Sequence, residues 1–171
     1  CIYPIEIFGE TTDVSCFGGN DGSINVTVSG GTGNYSFEWS NNSNSEDIEN
    51  ISAGIYSITV IDIDGCSSTS LEFTINEPEQ LELSVNTIDV SCNGLSDGSA
   101  ELTISGGTAP YETEDLSNLS AGNYSTTVID ANGCISSVEF TINEPELLVV
   151  SVSTIDVSCN GLSDGSAELT I

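Results

Sequence analysis

No lysine, arginine or histidine occurs in the 171 residues, against 27 aspartates and glutamates, for a formal charge of −27. Side-chain ion pairs are therefore impossible within the chain. Nothing is present to displace counterions from a phosphate backbone, which excludes nucleic acid as a partner. Anionic lipid and acidic polymers are poor partners for the same reason, whereas divalent cations or a basic surface match the charge. The bases that activate a Ser or Cys nucleophile are also missing. Carboxylate pairs of the glycosidase type remain, but the acidic residues recur mostly at turn positions, and the chain reads as no enzyme. Apolar runs of membrane-spanning length are absent, so membrane insertion is not expected. No stretch has the pattern of a signal peptide; if the protein is secreted, its leader has been removed or lies outside this sequence. Methionine is absent and tryptophan occurs once. No segment carries a convincing helical period.

What is present is repetition. Thr87 to Ile104, TIDVSCNGLSDGSAELTI, recurs unchanged as Thr154 to Ile171. Cys16, Cys92 and Cys159 each sit in D-V-S-C-x-G-x-x-D-G-S, spaced 76 and then 67 residues apart. Gly30-Gly31 matches Gly106-Gly107, Tyr35 matches Tyr111, and Ser52-Ala53-Gly54-Ile55-Tyr56 matches Ser120-Ala121-Gly122-Asn123-Tyr124. Asp64-Gly65-Cys66 matches Asn132-Gly133-Cys134, and EFTINEPE at 72–79 returns at 139–146. The nine-residue length difference falls almost wholly between Tyr35 and Ala53, where a loop or edge strand absorbs it. This organisation predicts a tandem array: repeat one over 1–79, repeat two over 80–146 and the first strands of a third over 147–171.

Each repeat alternates apolar and polar residues with period two. Ile24, Val26 and Val28 do so, as do Ala100, Leu102 and Ile104, and both runs stop at Gly-Gly. Tyr35, Phe37 and Trp39 form another strand, Tyr56, Ile58 and Val60 the next, and Leu71, Phe73 and Ile75 the last. D-x-[DN]-G between the last two is hairpin chemistry, because Asp, Asn and Gly tolerate the positive φ such turns need. The pattern predicts an all-β chain of tandem immunoglobulin-like β-sandwich repeats, one disulfide per repeat. Tyr56 and Tyr124 suit a tyrosine corner, the hydroxyl bonding back to the preceding loop. Thr113 and Asp115 stand where repeat one has Phe37 and Trp39, so the second repeat should have a smaller middle sheet.

Units of about 70 residues need support beyond their own core. Equivalent positions suggest Cys16 with Cys66 and Cys92 with Cys134, each closure contributing about 4 kcal/mol in the chain-entropy model. Cys159 would await a partner beyond Ile171, and Cys1 fits no repeat position. Such cysteines imply an oxidising, extracellular setting. Calcium is the one cofactor the residues suggest: Asp62 and Asp64, with Asp130 and Asn132, offer oxygen ligands two apart, and Glu77 and Glu144 lie at the repeat junctions. The competing view is that D-x-[DN]-G is only turn chemistry, since a full EF-hand loop is missing. Crowded carboxylates are further expected to have raised pKa values, so that stability falls as pH rises.

Together D-V-S-C-x-G-x-x-D-G-S, S-G-G-T-x-x-Y, S-A-G-x-Y-S-x-T-V-x-D-x-x-G-C and F-T-I-N-E-P resemble the SprB repeat of Bacteroidota surface proteins. That resemblance implies a structural and adhesive module of a long secreted cell-surface fibre, in some members carried along the cell during gliding motility. Partners would be neighbouring repeats or copies of the chain, with surface polysaccharide or another substratum at the fibre's outer part. The alternative is a filament subunit that completes its third repeat by strand exchange with the next molecule.

Overall fold

A computed structural model describes residues 3–171; Cys1 lies outside them. Twelve strands form in chain order and the described residues contain no helix. The strands are β1 (Glu6–Thr12), β2 (Gly22–Ser29), β3 (Ser36–Trp39), β4 (Ile48–Ile51), β5 (Gly54–Ile61) and β6 (Leu71–Ile75), then β7 (Glu82–Ile88), β8 (Ser99–Ser105), β9 (Gly122–Ile129), β10 (Ile135–Ile142), β11 (Ser151–Ile155) and β12 (Ser166–Thr170). The chain is all-β, as its alternation predicts.

Contacts divide the chain into two compact units. One comprises Cys1–Ser84, Thr103–Glu114 and Thr127–Ser137; the other comprises Val85–Leu102, Asp115–Thr126 and Val138–Ile171. In the first, two three-stranded antiparallel sheets, ordered β1-β2-β4 and β3-β5-β6, share one core. Ile24 and Val26 of β2, Trp39 of β3, Ile48 and Ile51 of β4, Ile58 and Val60 of β5 and Ile75 of β6 are all buried. The period of two places them there, because every second side chain of a strand points to the same face. Trp39 is core, and its indole N–H finds the Ser45 carbonyl at 2.9 Å. A buried indole needs such a partner, and a ring so placed offers no platform for a sugar.

β4 is an edge strand beside β2, and the insertion of repeat one lies before it, since Ile48–Ile51 aligns with residues 116–119 of repeat two. Its register slips between Gly22 and Ser23, which face Ile51 and Glu49. Asn50 falls in the gap at φ 55°, a bulge residue in the left-handed region that Asn tolerates. β1 lay outside the expected strand set, yet it pairs with β2 along its whole length, from Glu6 with Ser29 to Thr12 with Ser23.

The second unit has a smaller core. Val90, Phe140 and Ile142 are buried, with Val85, Ala100, Leu116, Leu119 and Tyr124 packed on them. In repeat two Thr113 and Asp115 form no counterpart of β3; the single bridge Glu112 with Ile129 lies in the first unit and Gly98 with Leu119 in the second. Strands β11 and β12 pair antiparallel, from Ser151 with Thr170 to Ile155 with Ser166, and every residue of both is exposed.

Candidate functional site

The repeat signature D-V-S-C-x-G-x-x-D-G-S builds one loop. Asp13 accepts the Asn76 backbone N–H at 2.8 Å and the Asn76 side-chain amide at 3.1 and 3.2 Å, while the Val14 N–H donates to the Asn76 carbonyl at 3.1 Å. The Asn76 backbone N–H, then its side-chain amide, holds the Asp13 carboxyl below the ordinary aspartate range. Asp21 accepts the Ser15 N–H at 3.0 Å, and Ser15, through side chain and backbone, lowers its pKa likewise. The Gly19 N–H closes a turn on the Cys16 carbonyl at 2.9 Å, and Glu77 accepts the Gly18 N–H at 2.7 Å. Gly22 is required because a Cβ there would lie 2.9 Å from both the Ile51 carbonyl oxygen and Ile75 Cγ2. D-V-S-C and I-N-E-P, separated by some sixty residues of sequence, are thus two sides of one structure that presents Cys16.

The hairpin D-x-[DN]-G-C is built around its first aspartate. Asp130 Oδ1 accepts the N–H groups of Asn132 and Cys134, both at 2.9 Å, and Oδ2 accepts that of Thr108 at 2.9 Å. The side chain is 5 % exposed. Burial is the largest influence on Asp130 and pushes its pKa up, but the backbone N–H groups of Thr108, Cys134, Asn132 and Gly133 together outweigh it and leave the carboxyl below its ordinary value. Asp62 is held the same way by Cys66, Asp64 and both the N–H and hydroxyl of Thr32, and its pKa is lowered, chiefly by the Cys66 N–H.

These bonds bear directly on the calcium ligands read from the sequence. Asp62 and Asp130 accept N–H groups of the turn on one oxygen and Thr32 or Thr108 on the other. Glu77 is bonded to the Gly18 N–H and Glu144 to the Gly94 N–H at 2.9 Å, each within its own loop. The Asn132 side chain points its NH₂ at the Ser15 carbonyl at 3.0 Å and the Thr108 hydroxyl at 3.2 Å. Asp64 contributes its backbone N–H to Asp62. Among the described residues no three acidic, Cys or His side chains converge as a metal site would need. Turn chemistry accounts for the bonds of Asp62 and Asp130 to the N–H groups of Asp64, Cys66, Asn132 and Cys134.

The loop and the hairpin meet. Cys16 forms a disulfide with Cys134, across a sequence separation of 118 and with Cα atoms 5.7 Å apart. The Asn132 amide bonds the Ser15 carbonyl beside it. A cleft of about 250 Å³ borders the bond, lined by Phe17, Pro78, Leu81, Gly107 and Ile135 among others. All of these residues belong to the first compact unit.

The expected pairs Cys16 with Cys66 and Cys92 with Cys134 are therefore corrected. Cys16 takes its partner from repeat two, Cys92 is free and exposed, and Cys66 is in another disulfide. The reason lies in strand geometry. Val14 is tied to Asn76 at the Ile75 end of the sheet, where Ile75 faces Gly54, whereas Cys66 follows the other end of β5, where Ile61 bridges Ser67. Eight residues of β5 at about 3.3 Å each separate those ends by roughly 25 Å, and a disulfide needs Cα atoms within about 7 Å. Equivalent position within a repeat carries no information on the strand end at which a cysteine lies.

The tyrosines do what the corner motif predicts: Tyr56 donates to the Ser52 carbonyl at 2.9 Å and Tyr124 to the Ser120 carbonyl at 3.0 Å. A second pair went unrecognised, Tyr35 to the Gly30 carbonyl at 2.6 Å and Tyr111 to the Gly106 carbonyl at 2.7 Å, though their recurrence five residues after Gly-Gly was visible.

Residues 9–44 and 84–112 match the family model described as SprB repeat. No curated protein matches the chain.

Proposed function

We infer, from a chain that carries SprB repeats, a structural and adhesive module of an extracellular fibre displayed on the cell surface. SprB repeats are structural repeats of cell-surface proteins and form no enzyme family. The observation that carries the fibre reading is the disulfide from the first loop of one repeat to the last hairpin of the next. A bond so placed resists separation of successive repeats, which is what a load-bearing tether needs and a freely jointed string of domains lacks. Disulfides also fit an oxidising exterior. The unrelieved negative charge keeps such a polymer soluble and discourages lateral clumping. Contact with a substratum, polysaccharide or otherwise, and any part in gliding, belong to the fibre's outer part.

The test is antibody labelling of intact cells that make the native protein. Filamentous surface label that brief protease treatment removes, with attachment to a solid surface lost in a strain lacking the gene, is the expected result. Label that appears only after permeabilisation would sink the proposal.

The second reading, a subunit that assembles by strand exchange, draws on β11 and β12. They form a lone two-stranded sheet with Val152, Ile155 and Leu169 all more than half exposed. A hairpin of that kind is marginal until further strands join it. The mass of the native chain separates the two readings: a polypeptide far heavier than 17.8 kDa rules out the short subunit.

A further inference from the structure

The framework of the loop that presents Cys16 occurs again in the second unit. Asp89 accepts the Asn143 backbone N–H at 2.8 Å and its side-chain amide, and the Val90 N–H donates to the Asn143 carbonyl at 3.1 Å. Asp97 accepts the Ser91 N–H at 3.0 Å and the Ser91 hydroxyl at 2.6 Å. The Gly94 N–H reaches Glu144 at 2.9 Å, as that of Gly18 reaches Glu77. The copies differ at two side chains, the Ser15 hydroxyl facing Cys16 Sγ where that of Ser91 meets Asp97, and Phe17 standing where Asn93 bonds the Pro145 carbonyl at 3.2 Å, and they differ in occupancy. At Cys16 the loop holds a hairpin, through the Asn132 amide on the Ser15 carbonyl and the Cys134 sulfur; at Cys92 the thiol is exposed and unbonded.

We propose that the Cys92 loop is a docking site for the D-x-[DN]-G-C hairpin of a further repeat, bonded first at the Ser91 carbonyl and then by a disulfide from Cys92. The occupied copy identifies the ligand: a tight turn with an amide side chain two residues before its cysteine. A second copy of this chain offers no such thiol, because both of its hairpin cysteines, Cys66 and Cys134, are already in disulfides. The occupied copy takes its hairpin from the next repeat of the same polypeptide, so the occupant is the hairpin of a later repeat of this polypeptide. Each thiol gives up one proton and one electron, one S–S bond forms, and the two electrons reduce a disulfide oxidant to two thiols by exchange. Applied at every junction, the bond makes a fibre in which each repeat is locked to the next.

The proposal deepens the fibre reading, yet its test is purely chemical, so a failed cross-link would leave surface display standing. The chain is prolonged after Ile171 by a copy of Ser105 to Glu146, which completes the third repeat and adds one hairpin cysteine, and Cys159→Ser removes the competing thiol. After refolding with oxidised and reduced glutathione, free thiols are alkylated and the protein is cut by a glutamate-specific protease. A peptide joining Cys92 to the added cysteine is expected, with alkylation of Cys92 lost. Monomer mass under non-reducing conditions places the bond within one polypeptide, as expected, and dimer mass overturns that assignment. Cys92 alkylated while the added cysteine is also free overturns the proposal.

Should the extension fail to fold, the original chain is treated with a peptide of sequence 127–138 whose cysteine carries a thionitrobenzoate leaving group. The Cys92 thiolate displaces thionitrobenzoate and forms the mixed disulfide. Cys159, also free and exposed, is the internal control, because its loop has no described counterpart of Glu144. Coupling at Cys92 faster by about tenfold supports docking, since thiols of similar chemistry otherwise exchange at similar rates. Equal rates overturn it.

Discussion

Single residues show how narrowly this scaffold is specified. Gly106 has φ +66°, and a Cβ there would sit 1.9 Å from the Gln80 carbonyl oxygen, inside any van der Waals contact. Gly106→Ala should destabilise the chain by more than about 1 kcal/mol, because alanine is strained in that conformation and the backbone must also move; urea denaturation measures it, and an unchanged midpoint would refute the assignment. Thr126 presents the opposite case. It is 2 % exposed on β9, where repeat one has Ile58, and its hydroxyl is without a hydrogen-bond partner. Thr126→Val removes that orphan at constant shape and should raise stability by about 1 kcal/mol, read from the same curves. Both positions could be marked in the sequence, Gly106 from the Gly-Gly turn and Thr126 from its place in an alternating run. The severity at Gly106 could not, since Gln80 reaches it only through the fold.

At the scale of elements, the contrast between the repeats comes from one strand. Phe37 and Trp39 let β3 form and fill the core of the first unit; Trp39 also lies 6.1 Å from Phe73 between ring centroids. Without their counterparts, the second unit relies on Tyr124 stacked on Phe140 at 5.5 Å and on a three-residue buried centre. Trp39→Ala should cost about 3 to 5 kcal/mol, the range for emptying a buried aromatic site, and a loss below 1 kcal/mol by chemical denaturation would show that the indole is not core. The strands themselves were legible because alternation is a local property. The exceptions are instructive: β1 earns its place by pairing with β2, and Asn50 is a bulge only because β4 must keep both Ile48 and Ile51 buried.

For the whole molecule, charge and covalent links set the response to conditions. Crowded carboxylates led to an expectation of raised pKa values, and the resolved shifts overturn it: Asp13, Asp21, Asp62, Asp97, Asp130 and Asp164 all move below the ordinary 3.8. At these six groups hydrogen bonds from backbone N–H groups and from Ser, Thr and Asn side chains favour the charged form more strongly than burial opposes it. Groups depressed in the folded state bind fewer protons there than in the unfolded chain. Their contribution is therefore present above 3.8 and lost as pH falls through the folded values. Thermal midpoints should be lower at pH 3 than at pH 6, and the reverse order would contradict the hydrogen-bond account. Reduction should remove about 5 kcal/mol for the Cys16–Cys134 closure in the chain-entropy model, seen as a drop in midpoint with a thiol reductant. Calcium should shift that midpoint no further than matched ionic strength does, since Asp62, Asp130, Glu77 and Glu144 already accept backbone N–H groups. By itself the sequence determined the strand class, the repeat period, the turn residues and the loss of β3 in repeat two, because each depends on neighbours within a few residues. Only the tertiary structure decided which cysteines meet. A disulfide is selected by Cα separation in space, and the length of β5 separates Cys16 from Cys66, leaving Cys16 to Cys134 of the next repeat.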